Sequence, residues 1–253
     1  MAVSFSAQDG LGYITLDNPP ANSYEIEFMR ELSSAIDAAA QGEPRVVVVR
    51  SASEKFFSAG ADVKRFLAND VEANMEMVRL AHEALAAIAR SSKLFVAWIA
   101  GHALGGGLEI ALACDLRYAQ EGRYRLGTPE VTLGLLPGNG GTQRLPRLIG
   151  TGPALELLLT GRQLTPEEAQ RLGLVSQLFA DEEQFREHVS KLATLPPLAL
   201  SEIKRAVYEG VSRPLDAGLE LERELIEKLF RSKDASEGLT AFVEKRAPEF
   251  VGA

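Results

Sequence analysis

The 253-residue chain has a single cysteine, Cys114, and no Asn-x-Ser/Thr sequon, so it closes no intrachain disulfide and offers no acceptor for an N-linked sugar. No arginine precedes Arg30 and no lysine precedes Lys55, which removes the basic start of a secretory signal and the Arg-rich face of a transit peptide. The cytosol is the expected compartment. Long apolar runs are also missing: Leu94 to Leu108 is shorter than a bilayer span and broken by glycines, so no membrane segment is expected. A net charge of −8 without a basic stripe excludes a binder of the phosphate backbone, and no nucleic-acid partner is expected. No Gly-Lys dipeptide exists to build a P-loop, and Gly138 to Gln143 lacks the last glycine of a dinucleotide fingerprint. His82-Glu83 has no second histidine at the zinc-protease spacing, and no metal site is expected. Ser58 lacks the flanking glycines of a nucleophile elbow.

What is present suits a large globular body, with 46% hydrophobic and 25% charged residues. Gly12 to Asp17, Arg45 to Arg50 and Leu94 to Ala100 are short apolar runs bounded by turn residues or charges, the pattern of buried strands. Between them, Glu25 to Ala39 and Val71 to Arg90 repeat apolar residues at helical spacing, so an α/β layout is predicted. Beyond about residue 180 the strand signal fades. Glu182 to Ala193, Leu198 to Glu209, Leu215 to Phe230 and Lys233 to Phe242 read as helices punctuated by Pro196-Pro197 and Pro214. The expected division is an α/β body over residues 1–190 and an all-helical tail over 191–253. Leu219, Leu221, Leu225, Ile226, Leu229 and Phe230 must bury the tail's apolar face on the body or on a second subunit.

The chemistry-bearing stretch is Gly101 to Glu109, a glycine-rich bend that carries an acid straight into the apolar run Leu108 to Cys114. Glycines leave backbone N–H groups open to a ligand, and a helix beginning near Gly106 places that N–H and the Glu109 carboxyl on one side. Ser58 to Lys64 is a second loop of small residues. By itself it is ordinary turn chemistry, but two backbone donors from separate loops converging on one point make an oxyanion hole.

Thr128-Pro129-Glu130 has an internal control, because Thr165-Pro166-Glu167 repeats the triplet as a standard helix start that Glu168 completes as a capping box. What sets Glu130 apart is its sequel, the glycine-rich turn Leu133 to Arg144. Cys114 reads as an inert core residue and His102 is assigned no role. Glu220, Glu222 and Glu224 read as a solvated face.

Phe57 to Lys64, Gly101 to Asp115, Pro129 to Arg144, Gly161 to Ala169, Leu172 to Val175 and Gly238 to Arg246 resemble, in order and spacing, the crotonase superfamily and specifically enoyl-CoA hydratase. The resemblance implies a spiral of ββα units with a C-terminal helical oligomerisation region, assembled as a homotrimer or dimer of trimers. It implies an acyl-CoA thioester substrate and no separate cofactor, CoA being part of the substrate. It places the oxyanion-hole donors on Ala61 and Gly106 and the acid/base pair on Glu109 and Glu130. Ala59, Asp62, Val63 and Lys64, with Phe242 and Lys245 from a neighbouring subunit, match positions that contact CoA. Asn18 to Tyr24, Leu94 and Tyr124 to Gly127 depart from the usual wording; Phe66 to Leu80 is the expected acyl-pocket lining, with Met75 and Met77 equally readable as core filler. Isomerase, hydrolase or other lyase chemistry on the same scaffold, and a non-catalytic acyl-CoA-binding module, are the rival readings.

Overall fold

The computed structural model describes residues 1–253 and begins with two antiparallel strands, β1 (Val3–Gln8) and β2 (Leu11–Leu16), followed by the short β3 (Ser23–Tyr24) and helix α1 (Ile26–Gln41). The chain then winds in repeated turns. Each lays one long strand in a large sheet, one short strand in a small sheet, and then a helix. The first turn is β4 (Val46–Ser51), β5 (Phe56–Ser58), β6 (Gly60–Ala61), α2 (Val63–Ala68) and α3 (Val71–Arg90). The second is β7 (Leu94–Ile99), β8 (His102–Leu104) and α4 (Gly106–Ala113). The third is β9 (Leu116–Gln120), β10 (Leu126–Gly127), a 3₁₀ turn (Pro129–Leu133) and the helices α5 (Gly141–Ile149), α6 (Thr151–Thr160) and α7 (Pro166–Arg171). β11 (Gln177–Phe179) closes the large sheet, and α8 (Glu182–Ala193), α9 (Pro197–Gly210), α10 (Leu215–Phe230) and α11 (Lys233–Glu244) complete the chain.

The large sheet runs β1-β2-β4-β7-β9-β11, parallel except at β1–β2, and the small one runs β10-β8-β5. This is the expected ββα spiral with a C-terminal helical region. β4 shows why the sequence reads as an unbroken apolar run: Val47 and Val49 face the main core with α1 and α3, while Val46 and Val48 face a second cluster with Trp98, Phe179 and Phe185. Trp98 stacks on Phe185 of α8 with ring centroids 4.2 Å apart. The strand, buried on both faces, has no polar alternation to display.

The predicted helix Val71–Arg90 matches α3, capped at its start by Asp70, whose carboxylate accepts from Ala73 N–H at 2.8 Å. Thr165 and Glu168 form the predicted capping box of α7. Cys114 is buried, its thiol pushed up to about 12 by desolvation, in keeping with an inert core residue.

The tail docks through charge as well as through apolar contacts. Lys204 of α9 is buried and its ammonium donates to Ile88 O at 2.7 Å, Lys93 O at 2.8 Å and Asp115 Oδ2 at 2.9 Å. All three ammonium hydrogens are thereby used, which is the condition for tolerating a buried charge. The tail's apolar face is only partly covered by its own body: Leu221 and Leu225 are buried, while Ile226 and Phe230 are exposed.

Candidate active site

α4 begins where the sequence placed it. Gly105 sits at its N-cap with φ +55°, a left-handed conformation that favours glycine, and its N–H bonds Gly127 O at 2.8 Å. Gly106 is the first helical residue, so its N–H has no intrahelical acceptor, and nothing else in the chain accepts from it. Facing this bend is β6, which pairs in parallel with β3 through Ser23 with Gly60 and Tyr24 with Ala61. Asp62 N–H turns inward to Tyr24 O at 3.0 Å, and successive strand amides alternate, so the Ala61 N–H points out of the ladder. A Cβ on Gly60 would lie 3.1 Å from Gly106 N, which brings the two donor loops into contact.

Glu109, one turn into α4, is 1% exposed. Its Oε1 accepts from Asn139 N–H at 2.8 Å and Gly141 N–H at 2.6 Å, while Oε2 makes no bond within the chain. Two amides from the start of α5 therefore aim this carboxyl, and no cation pairs with it. Burial pushes it up to about 7, opposed by the Gly141 amide and reinforced by the charge of Glu130.

Glu130, on the 3₁₀ turn, reaches the same bend, with Oε1 2.9 Å from where a Cβ of Gly105 would stand. Its Oε2 is buried without a partner, and burial raises its pKa as well. No capping box forms here, because Thr128 makes no side-chain cap and Glu130 Oε2 has no partner. The control triplet at Thr165 does cap, so identical words serve different ends in two contexts.

Because Glu109 holds its proton more tightly in the fold than in the unfolded chain, the folded state gives up stability as pH rises from the ordinary 4.5 through about 7. At about 1.4 kcal/mol per pKa unit that rise corresponds to roughly 3 kcal/mol. Glu109→Gln, which does not titrate, is expected to exceed the wild type in unfolding free energy by up to that amount at pH 8 and to match it at pH 4. Denaturant titrations at the two pH values check this, and an equal difference at both would contradict it.

The remaining predicted positions divide into two groups. Ala59, Asp62, Val63 and Lys64 lie beside the donor loop, Val63 and Lys64 exposed at the start of α2. The Asp62 carboxylate is engaged in capping α2, accepting from Lys64 N–H at 2.9 Å and Arg65 N–H at 3.3 Å. Phe242, 84% exposed, and Lys245 stand at the outer end of α11, at the far end of the helical tail. Met77 is buried and Met75 exposed; with Phe66 and Ala73, Met77 lines a cavity of about 250 Å³ bordered by Glu25, Ile26 and Asp62. His102 accepts from Arg125 N–H at 3.2 Å and its pKa is lowered by burial, so it braces a loop as a neutral ring.

Two residues of the site carried no signal of their own in the sequence. Tyr24 is buried with its hydroxyl oxygen accepting from Asn139 Nδ2 at 2.6 Å, and a Cβ on Gly106 would lie 1.6 Å from that oxygen. Asn139 thus holds Glu109 through its backbone and Tyr24 through its side chain, while Arg144 donates to its carbonyl at 2.8 Å.

The family model described as Enoyl-CoA hydratase/isomerase matches residues 6–253. A Bacillus subtilis (strain 168) protein named "Probable enoyl-CoA hydratase" is 38% identical, the match covering 99% of each chain. The 2,3-dehydroadipyl-CoA hydratase of Escherichia coli (strain K12) is 37% identical over 98% of this chain and 97% of its own. The crystal structure of an enoyl-CoA hydratase from Bacillus anthracis superposes with a TM-score of 0.95 at 37% identity and full coverage of both chains.

Proposed function

The chain belongs to the enoyl-CoA hydratase/isomerase family, and from that premise we propose that it is an enoyl-CoA hydratase, adding water reversibly to the 2,3 double bond of a trans-2-enoyl-CoA thioester. One observation carries the reading: two carboxyls of raised pKa, Glu109 and Glu130, converge on a bend whose Gly106 N–H is unpaired.

The chemistry follows from those parts. Attack of water on C3 moves negative charge to the thioester oxygen, and the Ala61 and Gly106 amides receive it as preset dipoles, one such donor being worth about 3 to 4 kcal/mol in hydrolases. Glu109 in its ionised form takes a proton from the water as the C3–O bond forms. Glu130 in its protonated form delivers a proton to C2, and the roles exchange in dehydration. Desolvation raises both carboxyls, Glu109 to about 7, the direction that favours one as base and the other as acid. The acyl group lies along the cavity beside Ile26, Phe66 and Met77, and the CoA moiety runs past Ala59 to Lys64.

Steady-state hydration of a panel of 2-enoyl-CoA thioesters, followed by loss of enone absorbance, tests the reading. Absence of hydration together with turnover of a 3-enoyl-CoA would replace it with isomerisation. As pH falls through about 7, kcat/KM for hydration is expected to drop, because Glu109 must be ionised to act as base. The two carboxyls influence one another, so that acid limb belongs to the pair. A profile flat from about pH 5.5 to pH 8 would count against the assignment.

The proposal extends to assembly as a homotrimer or dimer of trimers. α9 turns Glu202 and Lys204 inward and leaves Ile203, Val207 and Val211 in solvent, 59%, 55% and 73% exposed, the reverse of what a lone helix on its body prefers. A second copy covering such faces would also bring Phe242 and Lys245 toward a neighbour's CoA.

A further inference from the structure

The phenol of Tyr24 is a buried polar group that the two-carboxyl scheme leaves unused. It is 3% exposed on β3, and its oxygen fills the space where a side chain of Gly106 would stand. Asn139 Nδ2 donates to that oxygen at 2.6 Å, yet no group in the chain accepts the phenolic hydrogen. An O–H buried without an acceptor is a cost that calls for an explanation, and the bond from Asn139 uses only the oxygen, not the hydrogen. Burial first, then the charges of Glu109 and Glu130, hold the phenol protonated, so at neutral pH it is a donor with one lone pair already committed. Its position is fixed from both sides. Its backbone is locked to Ala61 and Asp62 of the donor loop, and its hydroxyl is locked to the residue that aims Glu109.

We propose that Tyr24 is a third catalytic group, donating its hydrogen bond to the oxygen atom that adds to C3 of the enoyl thioester. The inference rests on the hydratase reading above. A water molecule between two carboxyls can give a hydrogen to Glu109, and one of its lone pairs becomes the C3–O bond. Its second lone pair needs a fixed donor to set the direction of the first. The Tyr24 O–H lies beside Gly106 and within the field of both carboxyls, the place such a donor must occupy. No proton leaves the phenol. The water proton ends on Glu109, the Glu130 proton ends on C2, and the phenol keeps its own. In dehydration the same hydrogen bond steadies the departing hydroxide as the C3–O bond breaks.

Tyr24→Phe, assayed on the enoyl-CoA that the wild type hydrates fastest, tests this. The variant is expected to lose about 10- to 100-fold in kcat, less than the 10² to 10³ of a lost oxyanion donor because the acceptor oxygen starts neutral. KM is expected to stay within about twofold, since the donor acts on water and not on the thioester. Its melting temperature is expected to change little, because the substitution removes an O–H that had no acceptor and, with the same atom, the oxygen that accepted from Asn139 Nδ2. A kcat within twofold of wild type overturns the inference, and so does a loss accompanied by a raised KM or by a displaced acid limb of the pH profile, which would show that Glu109 had lost its anchor on Asn139 instead. Failure of the wild type to hydrate any 2-enoyl-CoA overturns the hydratase reading itself, a result separable from the others.

Discussion

Glu109→Gln is expected to lower the hydration turnover number by about 10³-fold, inside the 10² to 10⁴ range that a positioned acid or base contributes. The substitution is nearly isosteric, and the amide oxygen can still accept from Asn139 N–H and Gly141 N–H, so the helix start and the loop keep their anchor. What disappears is the ability of the free Oε2 to take a proton from water. KM for the acyl-CoA should change little, because the proposed thioester donors, Ala61 and Gly106, are untouched. Glu130→Gln removes the proton that the proposed mechanism delivers to C2 and is expected to cost a similar factor. The double variant should lose far less than the product of the two, since groups that act on one water molecule fail together. Single-turnover hydration of a 2-enoyl-CoA gives the answer directly. A Glu109→Gln enzyme retaining more than about a tenth of the wild-type rate would remove this carboxyl from the mechanism.

Gly106→Ala is the second large effect. The new methyl would stand 1.6 Å from the Tyr24 hydroxyl oxygen and 2.6 Å from Cζ of its ring, which is far inside contact distance. Tyr24 is a stiff, buried side chain, so relief requires moving either its ring or the first turn of α4. Moving the ring breaks the bond to Asn139 and disturbs the residue that aims Glu109; moving the helix turn shifts the Gly106 N–H, the proposed oxyanion donor. A loss of about 10² to 10³ in kcat is expected from the displaced donor alone. Overpacking should lower stability by about 1 to 3 kcal/mol. Kinetics and thermal melts on the same preparation check both. A Gly106→Ala protein with wild-type kcat would show that the bend does not place the donor.

Much of the fold was legible because its strongest signals are local. β4 and β7 are apolar runs buried on both faces, and α3, α8 and α10 have clean helical periods ended by charges or proline, so their bounds fell close to the observed ones. β1 was missed because only Val3 of its six residues is buried: an edge strand with one partner shows no continuous apolar run. β3, β6 and β10 are two residues long, and no periodicity exists at that length; they are defined by what they pair with. In the site, Gly106 and Glu109 stood out through spacing, since they share one helical turn, whereas Glu130 stood out only through the glycine-rich turn that follows it. Tyr24 registered only as a departure in wording and Asn139 only as a member of a glycine-rich turn. Their 2.6 Å contact spans 115 positions of chain, and nothing local in either segment points to the other. Buried Lys204 was equally hidden. On α9 it looks like one more solvated charge, and only the carbonyls of Ile88 and Lys93 and the carboxylate of Asp115 explain its place.

The anchoring of Glu109 by two peptide amides has a consequence for the conditions under which the enzyme works. Mobile ions weaken attractions between full charges that face solvent, within a screening length of about 10 Å at 0.1 M salt. A carboxyl gripped by peptide dipoles inside the protein presents almost nothing for such ions to attenuate. Brines strong enough to loosen exterior pairs such as Arg79 with Glu72 should therefore leave its aim untouched.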